Sequence, residues 1–137
     1  MTTLKSKATE VVGKAKKLFG NQVDAVVRQE EKVKELISKT FQKISKIGED
    51  PKIKKIVAPI GVFIRMIKAH FNGAHKLTGS TLWLLVLGLV YFISPFDIVP
   101  DFLGFFGFAD DLSVVLAIYA KVKDEVEEFL DWERTQG

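Results

Sequence analysis

Residues 82–120, which decide the fold, have the sequence LWLLVLGLVYFISPFDIVPDFLGFFGFADDLSVVLAIYA. Two apolar runs flank a middle segment that is broken by proline and glycine and contains four aspartates. The first run covers residues 82–93, whereas a helix that spans a bilayer needs about 20 residues. A run of this length is typical of a buried, re-entrant or interfacial helix. Ser80 is its predicted N-cap, and Pro95 is predicted to end it, because the residue before a proline avoids the helical conformation.

The middle segment opens with a second helix-start signal. Ser94 is a predicted N-cap, Pro95 fits the first helical position, and Asp97 takes the place of the acidic residue in a capping box. Pro100 interrupts the pattern, so the sequence predicts a helix of only about one or two turns. Asp101 follows it directly.

The end of the middle segment predicts the start of the last helix. Residues 102–108, FLGFFGF, predict a tight apolar loop. Asp110 is the predicted N-cap, and Asp111 is favoured by the positive end of the helix dipole. In a membrane-spanning helix each of these acids would cost about 2.5–3.5 kcal/mol near the bilayer centre. A folded helical hairpin, whose acids contact helix ends or basic partners, is therefore favoured over two spanning helices.

The spacing of these residues resembles the signature of a known family. That signature is an apolar helix, S-P-x-D-hydrophobic-[IV]-P-D, a short apolar loop, G-x-hydrophobic-D-D and a second apolar helix. The matching residues are Ser94, Pro95, Asp97, Pro100, Asp101, Gly107, Asp110 and Asp111. The chain is thus similar to the YkvA-like family, a mostly bacterial family known as domain of unknown function 1232. Gly104 and Phe105 depart from the pattern, because the family loop commonly has a proline there.

The resemblance implies a membrane-associated helical protein and no particular reaction. The family has no established activity, so the resemblance brings no catalytic residues. No catalytic motif stands out in the rest of the chain. Gly104 and Gly107 do not form a phosphate-binding loop, because they lack the lysine and the serine or threonine that follow the glycines in such a loop. The chain has no cysteine, which excludes disulfides, thiolate metal sites and a cysteine nucleophile.

Charge is distributed unevenly along the 137 residues. Residues 1–76 contain 17 Lys and Arg against 7 Asp and Glu, whereas residues 77–137 contain 3 against 10. Lysines on both sides of an apolar block predict a hairpin with both flanks on the cytoplasmic side of a membrane. The alternative is a basic half that packs on an acidic half. The N-terminal sequence MTTLKSKATEVVGKAKK has no apolar signal segment, so we expect the chain to start in the cytoplasm.

The basic half predicts amphipathic helices. Residues 3–19 have apolar positions at helical spacing: Leu4, Ala8, Val11, Ala15 and Leu18. Residues 20–21, Gly-Asn, predict a break, and residues 22–47 resume with Val23, Val26, Val33, Ile37, Ile44 and Ile47, a seam interrupted by Glu30 and Thr40. Such helices pair with another helix, lie on an anionic membrane or pack on the domain, and periodicity does not choose among these. The predicted division is a basic helical region at residues 1–48 and a YkvA-like helical domain at residues 49–137.

Two further helices complete the all-α fold class that the sequence predicts. Residues 51–72 start at an Asp-Pro signal, are predicted to kink at Pro59, and have one apolar face: Ile53, Ile56, Val57, Ile60, Ile64, Ile67 and Phe71. Residues 111–132 have an apolar stripe and an acidic C-terminal half: Val115, Ile118, Val122, Val126 and Phe129 form the stripe. His70 and His75 flank the break between the third helix and the apolar run, and we expect two surface histidines rather than a metal pair.

Three functional interpretations follow. In the first, the protein is a non-enzymatic scaffold or modulator at a membrane, with the apolar hairpin inserted or packed at the cytoplasmic face and Trp83, Tyr91 and Tyr119 at the interface. In the second, the apolar run is the buried centre of a soluble helical domain that self-associates or binds a helical protein. Nucleic acid is excluded as a partner in both, because the lysines lack an aromatic stacking platform.

The third interpretation is a site for Mg²⁺ or Ca²⁺, or an acid–base site in which two carboxyl groups have split pKa values. Aspartate oxygens are hard ligands that suit these cations. The candidate ligands are Asp97, Asp101, Asp110 and Asp111. Each of them also has an explanation as a helix-start residue, which requires no cofactor. All four are predicted to lie close together in space.

Overall fold

The computed structural model of the chain describes residues 2–47, 49, 51–93 and 107–136. The secondary structure in these ranges is helical, so the protein is all-α, as the sequence predicts. The helices are α1 (Thr2–Val27), α2 (Glu30–Ile47), α3 (Pro51–Phe71), α4 (Gly79–Ile93), α5 (Gly107–Lys121) and α6 (Lys123–Gln136). Core residues come from each of these helices.

Helix α4 is the centre of the core. Helices α1, α2, α3 and α5 all pack against it. Its buried residues are Thr81, Leu82, Leu85, Val86, Leu87, Gly88, Leu89, Val90, Tyr91 and Phe92. Because residues 85–90 are consecutive, they bury every side of the helix, and each large apolar side chain contributes about 1.5–3 kcal/mol. No helix in the described ranges has both the length and the apolarity that crossing a membrane requires.

Gly88 lies where side chains of both α3 and α5 pack closely on α4. A Cβ atom at this position would lie 3.2 Å from Cε2 of Phe63 and 3.4 Å from Cδ1 of Ile118. The ring of Phe63 also stacks on the ring of Tyr119, with centroids 6.2 Å apart. The glycine in the apolar run therefore permits a contact among three helices that a larger residue would obstruct.

The break predicted at residues 20–21 was wrong, because α1 continues through them. The break lies further on, where the backbone carbonyl of Gln29 accepts the N–H of Val33 at 3.2 Å and begins α2. A Cβ atom at Gly20 would lie 3.9 Å from the ring of Trp83. This glycine therefore lies at a helix contact with α4, whereas the sequence pattern treats it as a turn signal.

The buried face of α1 differs from the predicted one. Leu18 is 45% exposed although the pattern places it on the apolar face. The described buried residues are Val12, Ala15, Phe19 and Val23. Phe19 packs edge to face on Tyr91 with ring centroids 5.5 Å apart. Phe19, the next residue in the sequence, thus faces the core in place of Leu18.

The apolar faces of the other helices agree with the sequence. In α2, Val33 and Ile37 are buried, and Thr40 on the seam is buried with its hydroxyl donating to the carbonyl of Leu36 at 2.8 Å. Helix α3 begins at Pro51 as predicted and contains Pro59. The predicted residues that are buried in α3, α5 and α6 are Ile53, Ile56, Ile60, Ile64, Ile67, Val115, Ile118, Val122, Val126 and Phe129.

The N-cap of α4 is Thr78, and the prediction of Ser80 was wrong. The Thr78 hydroxyl oxygen accepts the N–H of Thr81 at 3.2 Å, and the Thr78 carbonyl accepts the N–H of Leu82 at 3.0 Å. The Thr81 hydroxyl in turn donates to Oε1 of Glu125 at 3.3 Å. The observed N-cap thus lies two residues before the predicted one, and the bond from Thr81 to Glu125 joins the start of α4 to the start of α6.

The last predicted helix consists of two helices, α5 and α6. Val122 lies between them, yet its N–H donates to the carbonyl of Ile118 at 2.9 Å and its carbonyl accepts the N–H of Val126 at 2.9 Å. Helical hydrogen bonding therefore continues across the irregularity. Helix α5 begins at Gly107, so Asp110 lies in its first turn, whereas the sequence placed it at the N-cap.

Replacement of Gly88 tests the packing of α4. We expect Gly88→Ala to lower the free energy of unfolding by about 1–3 kcal/mol, because Phe63 and Ile118 must move to accommodate the methyl group. Gly13→Ala in α1 is the matched control: nothing lies within 4 Å of a Cβ atom there, so we expect stabilisation by about 0.4–1 kcal/mol. Urea unfolding followed by circular dichroism measures both. A Gly88→Ala variant as stable as Gly13→Ala would contradict the packing described.

Candidate functional site

The residues of the signature motif lie at the edge of the described part of the chain. Ser94, Pro95, Asp97, Pro100 and Asp101 lie outside the described residues. Gly107, Asp110 and Asp111 occupy the first turn of α5. The prediction that the four aspartates form one unit stays a prediction. The described ends of the motif are the C-terminus of α4 and the N-terminus of α5.

Lysine from α2 caps the end of α4. Lys43 Nζ donates to the backbone carbonyl of Phe92 and lies over the Phe92 ring, 4.5 Å from its centroid. The last carbonyls of a helix have no partner within the helix and carry partial negative charge, so a cation there is stabilising. This contact places the C-terminal end of α2 beside the C-terminal end of α4.

The same end of the fold has a lysine-rich surface. Helix α3 begins four residues after α2 ends, so its first turn belongs to this end as well. The exposed lysines are Lys46, Lys54 and Lys55. Lys54 Nζ lies 3.2 Å from a carboxylate oxygen of Glu49, which is itself almost fully exposed. Among the described residues no carboxylate is paired with Lys46 or Lys55, so this surface, named here the lysine end, is positively charged.

The basic and acidic halves meet at one well-formed ion pair. Arg65 of α3 donates to both carboxylate oxygens of Glu133 in α6, at 2.9 Å and 3.2 Å. The side chains are 48% and 31% exposed, so the pair contributes at most about 1 kcal/mol. The expectation that the basic half packs on the acidic half is confirmed at this contact.

The aromatic residues expected at a membrane interface make contacts inside the protein. Tyr91 is buried, and Tyr119 is partly buried against Phe63. Trp83 donates its indole N–H to Oδ1 of Asp24 at 2.7 Å, and Lys16 lies over its ring. The interfacial assignment was wrong for Tyr91, because the helix that carries it is covered by its neighbours.

The two histidines have separate structural roles. His70 Nδ1 accepts the N–H of Leu77 at 2.9 Å, which fixes the turn before α4. His75 packs on the rings of Phe129 and Trp132, with centroids 5.4 Å and 5.1 Å away. Both are partly buried, so the expectation of surface histidines is met only in part.

No group of three His, Cys, Asp or Glu side chains in the described part of the chain is placed to hold a metal ion. The candidate ligands Asp97 and Asp101 lie outside that part, and the side chains of Asp110 and Asp111 are not described either. The Mg²⁺ or Ca²⁺ interpretation therefore stays a prediction from the sequence.

Comparison with known proteins identifies the family. The sequence profile described as "Protein of unknown function (DUF1232)" matches residues 81–117. Over 80 residues the chain is 32% identical to "Uncharacterized membrane protein YkvA" of Bacillus subtilis (strain 168), an alignment that covers 58% of this chain and 76% of that protein. The chain belongs to the YkvA-like family. No solved structure matches it.

The YkvA-like profile corresponds to α4, the segment that follows it and the first part of α5. Besides the packing of α4 on α5, the YkvA-like region is held by contacts from outside it, among them Lys43 of α2, Phe63 of α3 and Phe19 of α1. Sequence reasoning missed all of these contacts. They join residues far apart in the chain, and periodicity along one helix gives no signal for them.

The pH dependence of stability tests the role of His70. Burial, with a smaller effect of the nearby Lys76 charge, lowers the pKa of His70 below its ordinary value of 6.5. The unfolded chain therefore binds a proton more readily, so the contribution of His70 is complete above pH 6.5 and declines as the pH falls below that value.

We expect the native protein to lose more stability than His70→Asn when the pH falls from about 7 to about 5, because the Asn oxygen retains the acceptor for Leu77 and cannot titrate. Urea unfolding at a series of pH values measures the difference. His75→Asn is the matched control and should keep the pH dependence that His70 causes. Parallel profiles for the native protein and His70→Asn would contradict the assignment.

Proposed function

We propose that this protein is a non-enzymatic helical protein that associates with an anionic membrane surface through its lysine end. It would act there as a scaffold or modulator of a membrane process. The observation that carries the proposal is the relationship to the Bacillus subtilis protein, which is named a membrane protein and is covered over 76% of its length. The exposed lysines of the lysine end support this surface as the one that contacts the membrane.

Burial of α4 argues for a contact outside that helix. Helices α1, α2, α3 and α5 cover it, so most of its apolar side chains are not available to lipid in this fold, and Trp83, Leu84 and Ile93 are only partly buried. The lysine end is the region from which the chain leaves α4, and the sequence that follows, SPFDIVPDFLGFF at residues 94–106, contains many apolar and aromatic residues and two aspartates. Exposed lysines suit attachment at the level of the lipid headgroups.

Electrostatics support the cytoplasmic side. The cytoplasmic leaflet is rich in anionic lipid, and each Lys or Arg near its surface adds about 1 kcal/mol of attraction. Lys46 and Lys55 together would supply about 2 kcal/mol, and Lys54 adds to this attraction when lipid headgroups replace the exposed carboxylate of Glu49. Because the attraction is electrostatic, the attachment should weaken as the salt concentration rises.

Vesicle binding of charge variants tests the proposal. We expect the triple variant Lys46→Gln, Lys54→Gln and Lys55→Gln to bind vesicles containing phosphatidylglycerol on the order of 100-fold more weakly than the native chain, as three lost attractions imply. Co-sedimentation with vesicles of known composition gives the partition coefficients.

The opposite end of the fold offers a control with the same change in charge. Lys32 at the start of α2, Lys76 before α4 and Lys123 at the start of α6 are all exposed. The triple variant Lys32→Gln, Lys76→Gln and Lys123→Gln should retain most of the binding. Equal losses in the two triple variants would mean that net charge alone acts. Equal binding to anionic and to phosphatidylcholine vesicles would reject the electrostatic attachment.

A further inference from the structure

A groove between α2 and α3 is not explained by the membrane proposal. Its volume is about 750 Å³, within the range of about 300–1,000 Å³ that is usual for ligand sites. The floor is formed by the buried side chains of Val33, Ile37 and Ile67. Phe71 is partly buried at one wall, and Phe41 is 50% exposed at the other. The groove therefore offers an apolar floor and an exposed aromatic wall.

The polar side chains that line the groove, apart from Lys68, each have a polar partner; Oδ1 of Asn72 accepts the N–H of Ala74 at 2.8 Å. Gln42 donates to the hydroxyl of Ser38 at 3.5 Å, and Lys34 forms an ion pair with Glu30 at 3.6 Å. Lys68 instead lies over the ring of Phe41, with Nζ 5.6 Å from the centroid. In the described ranges no carboxylate lies within ion-pair distance of Lys68.

These observations define the chemistry of an occupant. Its body must be apolar, because the side chains of the floor offer no donor or acceptor that would orient a sugar or a peptide backbone. Its head must be a single anion, because Lys68 is the cation at the rim without an anionic partner among the described residues. An open groove between two helices accommodates a linear chain lying along it.

We propose that this groove binds a medium-chain fatty acid, with the acyl chain on Val33, Ile37 and Ile67 and the carboxylate beside Lys68. The aliphatic stem of Lys68 and the ring of Phe41 would cover the chain near its head. The inference is independent of membrane attachment, because the ligand is a free amphiphile and Lys46, Lys54 and Lys55 are not among the residues that line the groove.

Calorimetric titration of the full chain with laurate, kept below its micelle concentration, tests this site. We expect one laurate per chain. Ser38→Trp, which fills the groove from an exposed position, should weaken binding by more than about tenfold, and Phe41→Ala by about tenfold. Lys68→Gln should weaken it by about two- to fivefold, as loss of an exposed ion pair does. Dodecyltrimethylammonium, with the same chain length and a cationic head, should bind more weakly than laurate.

Matched controls lie elsewhere on the surface. Leu18→Ala removes an apolar side chain that is 45% exposed on α1, and Lys55→Gln removes a lysine charge from α3 outside the groove; neither should change laurate binding. Each substituted residue is exposed, so we expect every variant to fold, and far-ultraviolet circular dichroism checks this.

Three results would overturn the proposal. Laurate binding that is unchanged in both Ser38→Trp and Phe41→Ala would place the ligand elsewhere. Equal affinity for dodecyltrimethylammonium would remove the role of Lys68. Sedimentation showing a ligand-free dimer that Phe41→Ala converts to a monomer would mean that a second copy covers the groove. The two proposals can fail independently of each other. The triple variant Lys46→Gln, Lys54→Gln and Lys55→Gln, which tests membrane binding, should retain laurate binding.

Discussion

A helix that is apolar around its whole circumference is stable in water only when other elements cover all of it. Helix α4 is such a helix, and the arrangement of the described helices satisfies this requirement. The apolar faces of α1, α2, α3 and α5 contact it, and Gly88 allows Phe63 and Ile118 to approach closely. The basic N-terminal helices therefore lie against the YkvA-like region, and their described lysines other than Lys43 are left on the outer surface.

The covering of α4 determines which surfaces remain for function. Its own side chains are enclosed, so ligands and lipids meet the outer faces of the helices around it. Lys43 is directed at the end of α4 by the carbonyl of Phe92, whereas Lys46, Lys54 and Lys55 at the same end of the fold are exposed. On another side, α2 and α3 leave a groove above Ile37 and Ile67. The acidic C-terminal helix contacts α3 through Arg65 and Glu133.

Local patterns in the sequence predicted the fold class and several helix faces correctly. Pro51 marks a helix start because its fixed backbone angle suits the first turn, and the stripe from Val115 to Phe129 follows helical spacing. The exposure of Leu18 and the continuation of α1 through residues 20–21 could not be predicted in this way, since both depend on contacts with α4. The same holds for the choice of Thr78 over Ser80. Of the candidate site, only the first turn of α5 is described, so the aspartate cluster stays a prediction.

We propose that α4 stays enclosed while the lysine end contacts the membrane. Hydrogen–deuterium exchange of the full chain, with and without vesicles containing phosphatidylglycerol, tests it directly. We expect the amides of residues 85–90 to exchange equally slowly in both conditions. Amides at the end of α2 and the start of α3 should exchange more slowly when vesicles are present. Vesicle-dependent exchange in α4, with faster exchange in the helices that cover it, would show that the bundle opens and that α4 itself enters the lipid.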